Sequence, residues 1–258
     1  MRTDEIAGNR DTGLLKIIAL ICMIIDHVGA RILPRVPELR VIGRIAFPLY
    51  IWCLVVGACC TRSPLRYALR LLLVGLIAQP FYMLGLNHTW RQWSIFLTLF
   101  LGYLGVMGIR ENRHGSAFWA PLLALAVPCF VKMDYGWQGV LLIMLMYLAR
   151  ESRGGIAAVM IAFCLFWGGN NAPISSFLGL KLEGAFFRLD LVRSLLRIQT
   201  LALLALPLIL WPRKERTPFP KTLAYAAYPG HLLILWLVQL LMGITTWEQS
   251  LFLLHPPV

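Results

Sequence analysis

The hydrophobic positions of this chain fall in long unbroken runs rather than in alternation. Nine runs can be marked, at about residues 14–33, 41–60, 65–86, 92–109, 116–131, 137–149, 156–168, 195–211 and 222–245. Continuous apolar runs without a two-residue period predict helices, and many are long enough to cross a bilayer. Backbone in hydrocarbon must satisfy its own hydrogen bonds, which leaves helices or closed barrels. The punctuation is polar and short. It comprises Arg31 to Arg40 with Pro34 and Pro37, Thr61–Pro64, Asn87–Arg91, Arg110–Arg113, Lys132–Gly136, Arg150–Gly155 and Pro212–Lys221. Residues 1–12 predict a polar, mobile or surface leader before an uncleaved first anchor. Gly168 to Arg193 mixes polar residues with Phe and Leu and predicts an interfacial amphipathic helix or a re-entrant piece. The expected fold is an all-α polytopic membrane bundle of about nine transmembrane helices, forming one domain over 1–258.

Composition agrees. The chain is 59% hydrophobic and 14% charged, with mean hydropathy +0.72. Soluble domains sit near 45–50% apolar and about 25% charged. Lys and Arg number 24 against 12 acidic residues, yet they stand singly or in small groups between apolar runs. That pattern anchors loops on one side of a membrane and argues against nucleic acid. With nine spans, one side carries Arg2, Arg10, Lys16, Arg62, Arg110, Arg113, Arg150, Arg153, Arg213, Lys214, Arg216 and Lys221, and the positive-inside rule makes it cytoplasmic. The six cysteines lie in or beside apolar runs without metal-ligand spacing, so they read as small buried hydrophobes and no metal is expected.

One stretch breaks the apolar rule. In LLKIIALICMIIDHVG (14–29), Asp26 and His27 sit inside a run that otherwise crosses a membrane. A charge there costs about 2.5–3.5 kcal/mol on insertion scales, so such groups are paired, solvated or used. Lys16 and His27 are eleven residues apart, which on a helix places them near one face, separated by about 16 Å. His27 suits a general base. Arg44 opens the second run behind a short loop and is the expected partner of Asp26. The competing reading is a polar helix-end pair bridged to Arg31 or Arg44. Arg66 and Arg70, at i and i+4, form a cationic face that fits a phosphate-rich donor or lipid headgroups. Tyr228 and His231 flank Pro229, which frees a carbonyl inside the last run. Arg40, Asp134, Tyr135 and Gln199 belong to the opposite side and are candidates for binding an acceptor. No phosphate-binding Gly-rich loop and no hydrolase triad order is present.

LKIIALICMIIDHVGA (15–30), LRVIGRIAFPLYIW (39–52), MDYGWQGVLLI (133–143), QTLALLALPLIL (199–210) and YAAYPGHLLIL (225–235) together resemble the TraX family of inner-membrane proteins. That family is associated with N-acetylation of the pilin of F-type conjugative pili. The family in turn resembles type-3 membrane acyltransferases, which carry a basic residue, ten intervening residues and a His in the first span. Lys16 and His27 match that spacing, with Lys in place of the commoner Arg. The resemblance implies a bacterial inner-membrane, acetyl-CoA-dependent acetyltransferase with His27 as catalytic base, steered by Asp26 and Arg44. Lys16, Arg66, Arg70, Tyr228 and His231 would hold the donor. The acceptor would be a pilin or another small membrane or periplasmic amine or hydroxyl compound, and membrane lipid would be the other partner. Two further classes stay open: a small proton-coupled transporter, with Asp26-His27 as a proton relay, and a non-catalytic assembly factor.

Overall fold

The structure, a computed structural model, describes residues 6–168, 176–177, 180–181, 184, 189–190, 192, 197–213 and 215–254. The chain folds into two compact units. The first comprises Asp4–Cys53 and Ala149–Pro218, the second Leu54–Leu148 and Phe219–Val258.

In the first unit, α1 (Thr12–Arg31) buries Leu15, Ala19, Cys22, Met23, Asp26 and Gly29. These recur at helical spacing and define a single inward stripe. Against α1 packs α2 (Pro37–Gly43), which opens on proline. The second predicted run is therefore not one straight helix: α2 stops at Gly43 and α3 (Ala46–Cys60) begins after Arg44 and Ile45. The cause is Pro48. In a continuous helix its ring would strike the Arg44 carbonyl, and it has no N–H to donate, whereas the first turn of a new helix tolerates it. The break leaves Arg44 at a helix end, facing α1. Further along, α8 (Arg153–Gly168) packs against a 3₁₀ turn (Thr200–Ala205) that runs into α9 (Leu206–Leu210). Between them β1 (Ser176–Phe177) and β2 (Leu180–Lys181) pair antiparallel. Apart from Gly184, Leu189, Asp190 and Val192, the rest of the expected interfacial or re-entrant piece, Arg193 included, lies outside the described residues.

The N-terminal leader, in the part described, is not a surface tail. Ile6, Asn9 and Asp11 are 4%, 3% and 0% exposed. Asn9 N–H bonds the Ile209 carbonyl, Arg10 N–H bonds that of Arg213, and Ala7 N–H bonds that of Arg150. The Trp52 indole donates to the Asn9 carbonyl at 2.7 Å. Asp11 caps α1 by accepting from Leu14 N–H at 3.0 Å, and accepts from the Thr217 N–H and hydroxyl at 2.9 and 2.6 Å. Arg213 lies 3.3 Å from the same carboxylate. The polar side chains that suggested solvent are spent on backbone instead. Burial pulls the Asp11 pKa up, but the hydrogen bonds from Leu14 and Thr217 and the charge of Arg213 outweigh it and hold the carboxyl below its usual value. The unfolded chain then binds the proton more readily than the folded one. Asp11 contributes stability above pH about 3.8, and that contribution fades as pH falls through this value and the lower folded pKa. Asp11→Asn is expected to cost about 1–3 kcal/mol at neutral pH. Thermal unfolding in detergent across an acid series should show the loss shrinking below pH 4, a dependence absent from a merely weakened cap.

The second unit holds the end of α3 and then α4 (Pro64–Leu86), α5 (Ile95–Glu111), α6 (Ser116–Phe130), α7 (Gly136–Leu148), α10 (Lys221–Leu241) and α11 (Trp247–Leu254). Helix α5 packs against α4, α6 and α7, and α10 crosses α4. That crossing is close: a Cβ on Gly85 would stand 2.8 Å from the Leu232 carbonyl oxygen. Gln239, fully buried on α10, donates to the Gly85 carbonyl at 2.8 Å and so caps the end of α4. Helix α11 follows a turn at Gly243, beyond the last predicted run. Leu65, Leu69, Leu73, Leu76 and Ile77 on α4 are exposed, as a lipid-facing row would be.

Among the described residues four helical stretches are long and apolar enough to cross a membrane: Thr12–Arg31, Pro37–Cys60 (counted across the break), Pro64–Leu86 and Thr222–Leu241. Helices stand at the other predicted positions but are shorter, with 17 residues in α5, 15 in α6 and 13 in α7. Length alone therefore marks four spans rather than nine.

Candidate functional site

The first unit gathers Asp26, Arg40, Arg44 and Gln199. Asp26, on the inward stripe of α1, receives Arg44 Nη2 at 2.6 Å on one carboxylate oxygen and Arg40 Nη1 at 2.7 Å on the other. The expected Asp26–Arg44 pair is present, and Arg40 shares it. Arg44 also donates through Nε to the Arg40 carbonyl at 3.2 Å, which serves the end of α2. Its remaining arm donates to Gln199 Oε1 at 2.9 Å. The Arg44 and Asp26 side chains are 12% and 11% exposed, that of Arg40 35%. The close approach of α1 and α2 depends on Gly43, where any Cβ would overlap the Asp26 side chain. His27 and Lys16 are both half-buried on α1, one position around the wheel from the inward stripe. Both Asp26 oxygens are held by guanidinium groups, so its hold on His27 acts through the position of α1 rather than through a carboxylate–imidazole bond.

The second unit holds the other predicted residues. Arg66 and Arg70 are exposed on the first turns of α4; Arg66 Nε donates to Ser63 Oγ at 2.9 Å and Arg70 Nε to the Arg66 carbonyl at 3.1 Å. Asp134 accepts from the Tyr82 hydroxyl at 2.7 Å and from Gln92 Nε2 at 3.4 Å, and its carbonyl accepts from the Thr98 hydroxyl. Its N–H donates to the Trp93 carbonyl at 3.0 Å. Asp134 thus ties the loop before α5 to the turn before α7. Tyr135 stands in that turn with φ +63°. Tyr228 meets Phe96 edge-on at 4.9 Å, and His231 meets Tyr228 edge-on at 5.4 Å while its Nδ1 lies 2.9 Å from the Ala227 carbonyl. Among the described residues no group of three His, Cys, Asp or Glu is placed to hold a metal ion.

The model of the TraX protein family matches residues 11–239. The chain belongs to the TraX family. The match runs through α1, the Asp26 cluster and most of α10. Two curated relatives of this TraX protein can be named. An uncharacterized protein, RP591, of Rickettsia prowazekii (strain Madrid E) is 27% identical over 145 residues, which is 54% of this chain and 56% of that protein. The probable fimbrial assembly protein FimC, serogroup H1, of Dichelobacter nodosus is 43% identical over 167 residues, 58% of this chain and 68% of the relative. This TraX chain thus spans little more than half of the first relative. No solved structure matches.

Several residues that shape these clusters escaped the sequence reading. Arg40 was assigned to the acceptor path, with no hint that it shares Asp26. Tyr82, Gln92 and Thr98 around Asp134, and Gln239 beneath Gly85, sit in apolar runs where single polar residues carry little periodic signal. The one cue was cost: a polar side chain kept in hydrocarbon has a partner, and each of these has one.

Proposed function

We propose that this TraX protein is an inner-membrane acetyltransferase that moves an acetyl group from acetyl-CoA to an amine, such as a pilin N-terminus, or to a hydroxyl. The whole chain would act as one acyltransferase-like domain of nine alternating spans, with its N-terminus in the cytoplasm. The observation that supports this most is the Asp26 cluster. A membrane helix keeps a carboxylate bound by two arginines directly before a half-buried histidine. Two arginines on one carboxylate fix the helix turn that carries His27 more firmly than a single pair would.

In this reading His27 takes the proton of the acceptor amine or hydroxyl. The freed lone pair attacks the thioester carbonyl carbon, and the C=O pair moves to oxygen. Collapse breaks the C–S bond, and the thiolate leaves and accepts the proton from His27. The product is an amide or ester and free CoA. Asp26, held between Arg40 and Arg44, fixes the helix that carries His27. Arg40 and Gln199 in the first unit, and Asp134 and Tyr135 in the second, belong to the acceptor side of this proposal. Donor-binding roles follow the same reading within each unit, for Lys16 in the first and for Arg66, Arg70, Tyr228 and His231 in the second. Arg66 and Arg70 are exposed cations suited to phosphates. The double change to alanine is expected to raise the KM for acetyl-CoA roughly tenfold with kcat little changed, because losing a ground-state contact acts on binding. Steady-state kinetics over an acetyl-CoA series checks it.

The name of the Dichelobacter relative favours a second reading, a non-catalytic factor in fimbrial assembly. Labelled acetyl-CoA with purified protein and an acceptor peptide separates the two. Label in the peptide supports the transferase; label that stays with the donor, from folded protein, supports the assembly factor.

A further inference from the structure

The segment before α1 is a meeting place of arginines in the first unit. Ala7 N–H bonds the Arg150 carbonyl and Arg10 N–H that of Arg213. The Arg10 side chain turns back and donates from Nε and Nη2 to the Ile6 carbonyl at 3.4 and 3.3 Å. Arg153, exposed at the start of α8, donates from Nε to the next carbonyl, that of Ala7, at 3.1 Å. Two of these arginines are matched by acids. Arg150 has Glu151 at 2.5 Å, and Arg213 has Asp11 at 3.3 Å and Glu215 at 3.5 Å. Arg10 and Arg153 are not matched. Among the described residues no carboxylate pairs with either, and their side-chain bonds go only to these carbonyls. A carbonyl orients a guanidinium without neutralising it. Consecutive peptide units stand about 3.8 Å apart, so both cations are moored to one short length of backbone. Each is held through Nε. Arg153 keeps both terminal nitrogens and Arg10 keeps Nη1, the groups that pair with phosphate oxygens.

We propose that Arg10 and Arg153 bind the phosphates at the nucleotide end of the acetyl donor. The segment they are moored to leads directly into α1, the helix of Lys16 and His27. From Thr12 to His27 that helix rises about 22 Å, the separation that the thiol arm of the donor bridges. This rests on the acetyltransferase reading and adds two residues to Lys16 in the first unit. It is independent of the roles given to Arg66 and Arg70 in the second. Contact with the nucleotide is the same before and during the reaction, so its loss acts on KM and spares kcat. An anionic lipid headgroup offers the same phosphate chemistry, and the experiment separates the two sources.

The informative variant carries Arg10→Gln and Arg153→Gln together. Glutamine keeps an N–H for each carbonyl and loses the charge. Two donors are compared in steady-state kinetics: acetyl-CoA, and S-acetyl-pantetheine, which has the same thioester and no phosphate. The expected result is a KM for acetyl-CoA about tenfold higher with kcat little changed, and a KM for S-acetyl-pantetheine within about twofold of wild type. Should the double variant not fold, Arg153→Gln alone, at an exposed position, carries the test with about a threefold rise. A merely loosened segment would harm both donors alike, and that result would overturn the proposal. Wild-type kinetics with both donors would overturn it equally. Thermal midpoints in neutral detergent, with adenosine bisphosphate or phosphatidylglycerol added, name the source. Protection of wild type and not of the variant by the nucleotide is expected; protection by the lipid alone would give the pair to a headgroup and overturn the proposal. Nucleotide protection in a wild-type protein that transfers no acetyl group would end the acetyltransferase reading and still support the phosphate site.

Discussion

Replacing His27 by alanine is expected to lower acetyl transfer by about 10²–10⁴, the usual cost of losing a general base, while the protein still folds. The two halves of that expectation come from the same geometry. His27 is half-buried on α1, off the inward stripe that packs the helix, and the ion pairs that hold α1 to α2 belong to Asp26. Its removal takes away a proton acceptor and leaves those pairs intact. Initial rates with labelled acetyl-CoA, beside a thermal midpoint in detergent, check both halves. A variant that keeps near-parent turnover would make His27 a packing residue.

Asp26→Ala is expected to be the most destabilising single change in the first unit. It takes away the carboxylate that two guanidinium groups share, one of them 12% exposed. Breaking a buried pair typically costs about 3–5 kcal/mol, because the remaining charge is left uncompensated. Arg44→Ala is expected to cost less, since Arg40 still neutralises the carboxylate, and Arg40→Ala least, since its side chain is a third exposed and its pair is screened. Asp26→Ala/Arg44→Ala together should be milder than the sum of the singles. Denaturant unfolding of the four proteins gives the cycle, and simple additivity would mean that the pair carries no coupling.

The sequence displayed the helical class and the places of the helices, because long apolar runs have few alternatives in lipid. It also exposed Asp26 and one of its partners, since a charge in such a run must be matched and Arg44 is the first cation of the next run, behind a short loop. The break between α2 and α3 was there to be read in Pro48, whose steric demand falls on Arg44 itself; continuous hydropathy concealed it. The buried N-terminal segment was hidden for the opposite reason. Asn9, Arg10 and Asp11 look solvated, and only the fold shows that Thr217 and the Ile209 carbonyl receive them. The contact from Arg44 to Gln199 spans 155 positions, a pairing that no local pattern encodes.

The central claim, transfer of an acetyl group by the chemistry around His27, is tested most directly by the intact mass of an acceptor peptide with a free N-terminal amine. The peptide is incubated with acetyl-CoA and the purified protein in proteoliposomes, wild type beside His27→Ala. The account predicts one added acetyl group on the peptide, with matching release of free CoA, from wild type, and little or none from the variant. An unmodified peptide with folded wild-type protein, or equal acetylation by both proteins, would contradict it.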